Sequence, residues 1–170
     1  MTSAAVENGC DLSGDMIERL VGAMSGAIQT TMSEAFSFKT DIKPWLLMKN
    51  GEDERGALLA CAIAIITANK RKYGTFVLQV DRGAALKILS LHGNGVMDEA
   101  IVDDAVCEIA NMIFGVFKAS VNKMGCQLTM QLPVPLHDKF LPADQSAATE
   151  KVVLPFMAEG HLCQAVLARA

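Results

Sequence analysis

Asp103-Asp104-Ala105-Val106-Cys107-Glu108-Ile109-Ala110-Asn111-Met112-Ile113-Phe114-Gly115 is the stretch that decides how this chain folds. Its apolar residues recur at intervals of three and four, the spacing of an amphipathic helix. At ~100° per residue, Asp104, Glu108, Asn111, Gly115, Lys118 and Asn122 fall within one strip roughly 80° wide. Val102, Val106, Ile109, Ile113, Val116 and Phe117 occupy the opposite side. The helix therefore has a face to bury and a narrow polar strip to present. Glycine is a poor interior helix residue, so Gly115 on that strip marks a place where another surface comes close. Met112 and Phe114 flank the strip and give it an expected apolar rim.

Working outward, the helix is expected from about Asp98 to Met124, with Asp98, Glu99, Asp103 and Asp104 placing negative charge in its first turns and Gly125 ending it. Before it, Asp81 to Leu91 reads as a short helix closed by His92-Gly93-Asn94-Gly95. A second long helix runs from Ser13 or Asp15 to about Phe36, where Met16, Leu20, Ala23, Met24, Ala27, Ile28 and Met32 keep the same periodicity. Lys39 to Lys49 reads as a connector and strand containing Pro44, and Asn50 to Glu54 as a turn. Ala57 to Thr67 fits helix or strand by composition. Its β-branched second half, and a turn at Lys72-Tyr73-Gly74 leading into Thr75 to Val80, favour a strand. Cys126 to Leu132 alternates with period two, His137 to Glu150 is a polar loop, and Lys151 to Ala158 and His161 to Ala168 form a hairpin about Glu159-Gly160. The order helix, strands, helix, strands repeats loosely. The expected fold class is α+β: an antiparallel sheet with two long helices packed on one face. Residues 1–13 are expected to be a disordered segment, and residues 14–170 a single domain.

Composition narrows the function. The chain has 170 residues, of which 51% are hydrophobic, enough for one well-filled core. A net charge of −4 with a pI near 5.3 argues against nucleic-acid binding, which needs a Lys/Arg patch. Lys70-Arg71-Lys72 is the one basic run and reads as a solvated turn. The five cysteines are scattered singly, without zinc or redox spacing, and read as reduced thiols of a cytoplasmic protein. Met1 to Met16 has neither a basic region nor an apolar core of a secretory signal. The longest apolar run, about twelve residues from Ala57 to Ala68, is short of the ~20 a membrane helix needs, so no membrane insertion is expected.

The strip and its surroundings resemble the CheX-type phosphatases of bacterial chemotaxis, within the CheC, CheX and FliY family. The signature is an Asp or Ser, three residues, Glu, two residues, Asn, and a Pro a little over twenty residues on. Here these are Asp104, Glu108, Asn111 and Pro133, joined by the segment Glu108 to Gly115 with Lys118, by Val153-Leu154-Pro155-Phe156 and by the Glu159-Gly160 hairpin. The resemblance implies hydrolysis of the aspartyl phosphate on a phosphorylated CheY-like receiver domain. It implies that Glu108 docks the receiver's lysine and Asn111 orients the attacking water. Asp104, Met112, Gly115 and Lys118 would support the site or touch the partner. The chain would need no cofactor of its own, the Mg²⁺ residing on the receiver. Relatives of this kind pair through their sheets, and the apolar strand Ala57 to Thr67 would be a hazard with an open edge, so a homodimer is expected. Doubled relatives carry two Glu-x-x-Asn copies, but the first helix here has Glu18-Arg19-Leu20-Val21, which leaves one site per chain.

Competing chemistry is weaker. Consecutive Asp103 and Asp104 point about 100° apart, and His92, His137 and His161 have no ligand spacing to them, so an intrinsic metal centre is not expected. Cys107 beside Glu108 has no neighbouring histidine and reads as packing. The alternative of a different class is a non-catalytic module of the same fold that docks a receiver domain or a flagellar-switch component.

Overall fold

The computed structural model describes residues 14–49, 58–67, 72–91, 93, 98–136 and 150–169. The first thirteen residues, the Asn50 to Glu54 turn and most of the 137–150 loop lie outside them. In chain order the elements are α1 (Gly14–Phe36), β1 (Thr40–Ile42), β2 (Leu46–Lys49), β3 (Leu58–Thr67), β4 (Lys72–Asp81), α2 (Arg82–Leu91), α3 (Glu99–Lys123), β5 (Leu128–Met130), β6 (Val134–Leu136), β7 (Glu150–Ala158) and β8 (His161–Arg169). The strands form one sheet in the order β1-β7-β8-β4-β3-β5, with β2 also on β7 and β6 also on β3. Every pairing is antiparallel. The α+β reading holds, with α1 and α3 packed on each other and on the sheet.

β3 is a strand because its side chains alternate in size as a pleated surface requires. Cys61, Ile63 and Ile65 are fully buried towards the helices, whereas Ala60 and Ala62 lie on the other face with Val77, Val153 and Val166. Both of its edges are occupied, by β4 on one side and by β5 and β6 on the other. The edge hazard foreseen for this strand is thereby removed, and the open edges lie elsewhere. The turn expected at Lys72-Tyr73-Gly74 is also part of a strand. Gly74 pairs with Ile65 and Lys72 with Ile66, so the register shifts at Tyr73; this is a β-bulge, with one extra residue on β4.

Two more expectations change at the sheet edges, both at a proline. Lys39 to Lys49, expected as a connector and one strand, holds two: β2 over the apolar Leu46 to Met48, and β1 within the connector. Ile42 pairs with Phe156 and Leu46 with Val153, one residue more on this side than on β7. Lys43 donates its N–H to the Pro155 carbonyl at 2.9 Å, after which Pro44 has none to give. Cys126 to Leu132 is interrupted likewise: Met130 pairs with Ile65 and Val134 with Ala62, and Gln131 donates to the Ala64 carbonyl at 3.0 Å before Pro133. The loose repeat thus has a structural meaning. Each long helix is followed by a proline-broken edge strand lying on the hairpin of the other half, and the halves meet at β4 and β8, where the Gln164 side chain donates to Gln79.

α3 begins at Asp98, whose carboxylate accepts from the Ile101 N–H at 2.9 Å. It ends where Gly125 takes φ +97° and the Asn122 side chain brackets Leu128. Asn122 donates to the Leu128 carbonyl at 3.0 Å and accepts its N–H at 2.6 Å, tying the helix to β5. α2 is capped by Asp81, which accepts from Gly83 N–H and contacts His161 Nδ1, both at 2.8 Å. A side chain at Gly83 would stand 2.5 Å from the His161 ring, so this close approach requires glycine.

In the core, Phe114 of α3 lies between Phe76 of β4 and Phe117, with ring centroids 5.4 and 5.6 Å away. The expected rim role of Phe114 is therefore wrong: it is fully buried, because on that flank of the helix it packs against Phe76 of the sheet. Phe114→Ala is expected to cost about 3–5 kcal/mol, read from chemical denaturation.

Candidate functional site

The buried side of α3 comprises Val102, Val106, Cys107, Ile109, Ala110, Ile113, Phe114, Phe117 and Val121. That leaves the strip of Asp104, Glu108, Asn111 and Met112 exposed, with Gly115 and Lys118 half-buried at its far end. All six residues singled out from the sequence therefore share one outward strip. Asn122, in line with them, is spent on the β5 junction. Glu108 and Asn111 make no side-chain hydrogen bond or ion pair with another described residue. A carboxylate and a carboxamide one turn apart, both unengaged, are available to a partner.

The ground on either side of the strip was not legible locally. Glu108 lines a hollow of about 230 Å³ with Ala35 and Phe36 of α1 and Ile88 and Leu89 of α2. Asn111 lines a larger groove of about 480 Å³, walled by Thr30, Thr31, Glu34 and Ala35 of α1 and by Gly115 and Val116 of α3. Met112, 37% exposed, is the ridge between them. The sequence reading missed the α1 and α2 residues, since only helix packing brings them to the strip. At Gly115 no part of the described chain comes close: a Cβ there would find nothing within 4 Å, so the space beside Asn111 is open.

What the arrangement can do is bounded by its neighbours. Among the described residues no group of three or more His, Cys, Asp or Glu is placed to hold a metal ion. Cys107, next to Glu108, is buried and lies near the Cys61 thiol. Burial pushes both thiols above the ordinary range, the Asp103 and Asp104 carboxylates raising Cys107 further; burial likewise brings Cys163 up to about 11. None of the three is a poised nucleophile. The reading of all cysteines as thiols holds for Cys61, Cys107 and Cys163 and fails at Cys126, which is disulfide-bonded; spacing along the chain carries no information about such a pairing. No helix among the described residues is long and apolar enough to cross a membrane.

Comparison with known proteins bears on the whole arrangement. The family model described as chemotaxis phosphatase CheX matches residues 62–157, more than half of the chain and including the strip. No curated protein matches in sequence. Solved structures do match in fold. The chemotaxis protein CheX from Vibrio vulnificus superposes with a TM-score of 0.71 at 21% identity, over 88% of this chain and 97% of that one. A CheC-like superfamily protein from Shewanella sp. PV-4 gives 0.70 at 17%, over 88% and 96%. A CheX from Borrelia burgdorferi, solved in complex with CheY, BeF₃ and Mg²⁺, gives 0.60 at 15%, over 89% and 96%.

The buried thiols generate a direct test. In the folded chain at pH 7.5, Cys61, Cys107 and Cys163 should resist iodoacetamide and react only after denaturation, as peptide mass spectrometry will read. Fast native labelling of Cys107 would place a usable thiol beside Glu108.

Proposed function

From the premise that the chain belongs to the CheX family of chemotaxis phosphatases, we propose that it hydrolyses the aspartyl phosphate of a CheY-like receiver, using Glu108 and Asn111. The observation that carries this reading is the pair itself: both side chains are exposed on one strip and neither is engaged by the chain's own residues. The relative crystallised with CheY supports a receiver as the partner.

An aspartyl phosphate is a reactive acyl phosphate, and its hydrolysis needs chiefly an in-line nucleophile and charge stabilisation. The Asn111 carboxamide holds a water opposite the scissile bond. The water oxygen bonds to phosphorus, the phosphorus bond to the aspartyl oxygen breaks, and inorganic phosphate and a free carboxylate remain, the water's protons passing to phosphate and solvent. The Glu108 carboxylate pairs with the receiver's lysine and sets the depth and angle at which Asn111 enters. Asp104, one turn before Glu108, adds to the docking field. Met112, Gly115 and Lys118 contact the partner around Asn111. The Mg²⁺ is assigned to the receiver, and the chain brings no cofactor.

The test is the decay of a phosphorylated receiver from the same genome, with and without this protein. Loss of one positioned group of this kind costs on the order of 10²–10³ in rate, so Asn111→Ala should remove most of the acceleration while binding to the beryllofluoride-loaded receiver stays nearly intact. Glu108→Ala should weaken that binding. Acceleration at the wild-type level in Asn111→Ala would overturn the assignment, and binding without acceleration in the wild type would assign the non-catalytic docking module instead.

A homodimer with a continuous sheet belongs to the same proposal. The edge formed by β2 carries consecutive exposed Trp45, Leu46 and Leu47, an apolar edge of the kind that pairs with a second copy. Light scattering at tens of micromolar should give a dimer for the wild type and a monomer for the Leu46→Lys, Leu47→Lys double variant.

A further inference from the structure

The groove beside Asn111 has features that the Glu108 and Asn111 pair does not use. Its walls are largely apolar: Met112 and Val116 from α3, Ala35 from α1. One carboxylate, Glu34, stands at its rim; it is exposed and pairs with no described residue. Thr31 lies along the same wall, 4% exposed, with a buried Oγ1 that has no hydrogen-bond partner. A helical threonine ordinarily turns its hydroxyl to the carbonyl four residues back, and a buried hydroxyl without any partner is uncommon. Facing these residues, Gly115 keeps the opposite wall open, with nothing within 4 Å of where its Cβ would stand. Thr30 and Glu34, four residues apart on α1, share the side turned to the groove.

A groove with apolar walls and an unpaired acid among its lining residues matches a long alkyl stem with a cationic head. We propose that this groove seats a lysine or arginine side chain of the docked receiver, the stem against Met112, Val116 and Ala35 and the head on the Glu34 carboxylate. The inference rests on the proposed function, because a partner whose active site surrounds Asn111 must also overlie the groove that Asn111 lines. It goes beyond that function in giving α1 a share of the interface. Glu108 and Glu34 then act as two acids on either side of the Met112 ridge, taking two separate cations and fixing the rotation of the receiver about Asn111. Glu34 is exposed, so the pair is a modest contribution by itself; its part is to favour one receiver over another while leaving the chemical step untouched.

The test uses the full chain and a beryllofluoride-loaded CheY-like receiver from the same genome, with turnover of the phosphorylated receiver measured in parallel. Glu34→Lys should raise Kd and KM at least tenfold and leave kcat within about twofold. Gly115→Leu, which narrows the groove from the other wall while replacing a poor helix residue, should raise KM in the same way; thermal melts establish that both variants are folded. Reversal of one surface lysine or arginine of the receiver to glutamate should restore binding to Glu34→Lys. A Kd for folded Glu34→Lys within twofold of wild type overturns the groove assignment. That outcome is independent of catalysis: if the wild type binds but does not accelerate, the phosphatase reading fails while the Kd comparison still decides the groove. A wild type that binds no receiver of its genome overturns both.

Discussion

Burial of one side of α3 against the sheet is the constraint on which the rest of this molecule depends. Ile109, Ile113, Phe114 and Phe117 are fully buried, and an apolar surface of that size is excluded from water at roughly 25 cal/mol per Å². The helix therefore has little freedom to rotate about its axis. Turning it by one residue would bring Glu108 towards the core and move Phe117 towards solvent. The orientation of Glu108 and Asn111 follows from residues buried beneath them, and this is how the proposed two-residue site can sit on a helix surface with no hydrogen bonds of its own to hold it.

The rest of the fold supports that helix. The two halves exchange their edges: β1 and β2 of the first lie on β7 of the second, and β5 and β6 of the second lie on β3 of the first. Each edge is broken by one extra residue at a proline, Pro44 in one and Pro133 in the other. Such breaks interrupt the row of free N–H and C=O groups that an edge strand presents. The exchange places α1 beside α3. That contact makes the two grooves at the strip, so the ground flanking the site is a product of the topology.

The chemistry assigned to the site asks little of its own environment. In the proposed reaction Glu108 and Asn111 need only be positioned, since the reactive phosphate would arrive with the partner. The buried thiols near them are consistent with this division. Cys107, adjacent to Glu108, faces inward and is held in its neutral form by burial, serving the core and leaving the exposed strip to the two residues proposed to meet a receiver.

The amino-acid sequence by itself determined the helices, the class of the fold and the polar strip, because each is written locally: a period of 3.6 along α3 and α1, and β-branched residues and turns at β3 and the closing hairpin. Asp104, Glu108, Asn111, Met112, Gly115 and Lys118 are near neighbours on one helix, and helical geometry alone gathers them. The tertiary structure alone decided what depends on distant residues meeting. It put both edges of β3 under cover, buried Phe114 between Phe76 and Phe117, and spent Asn122 on Leu128. It also brought Thr31 and Glu34 of α1 to the side of Asn111. No period along the chain encodes such contacts; they follow from how the sheet closes its edges and how two helices cross on its face.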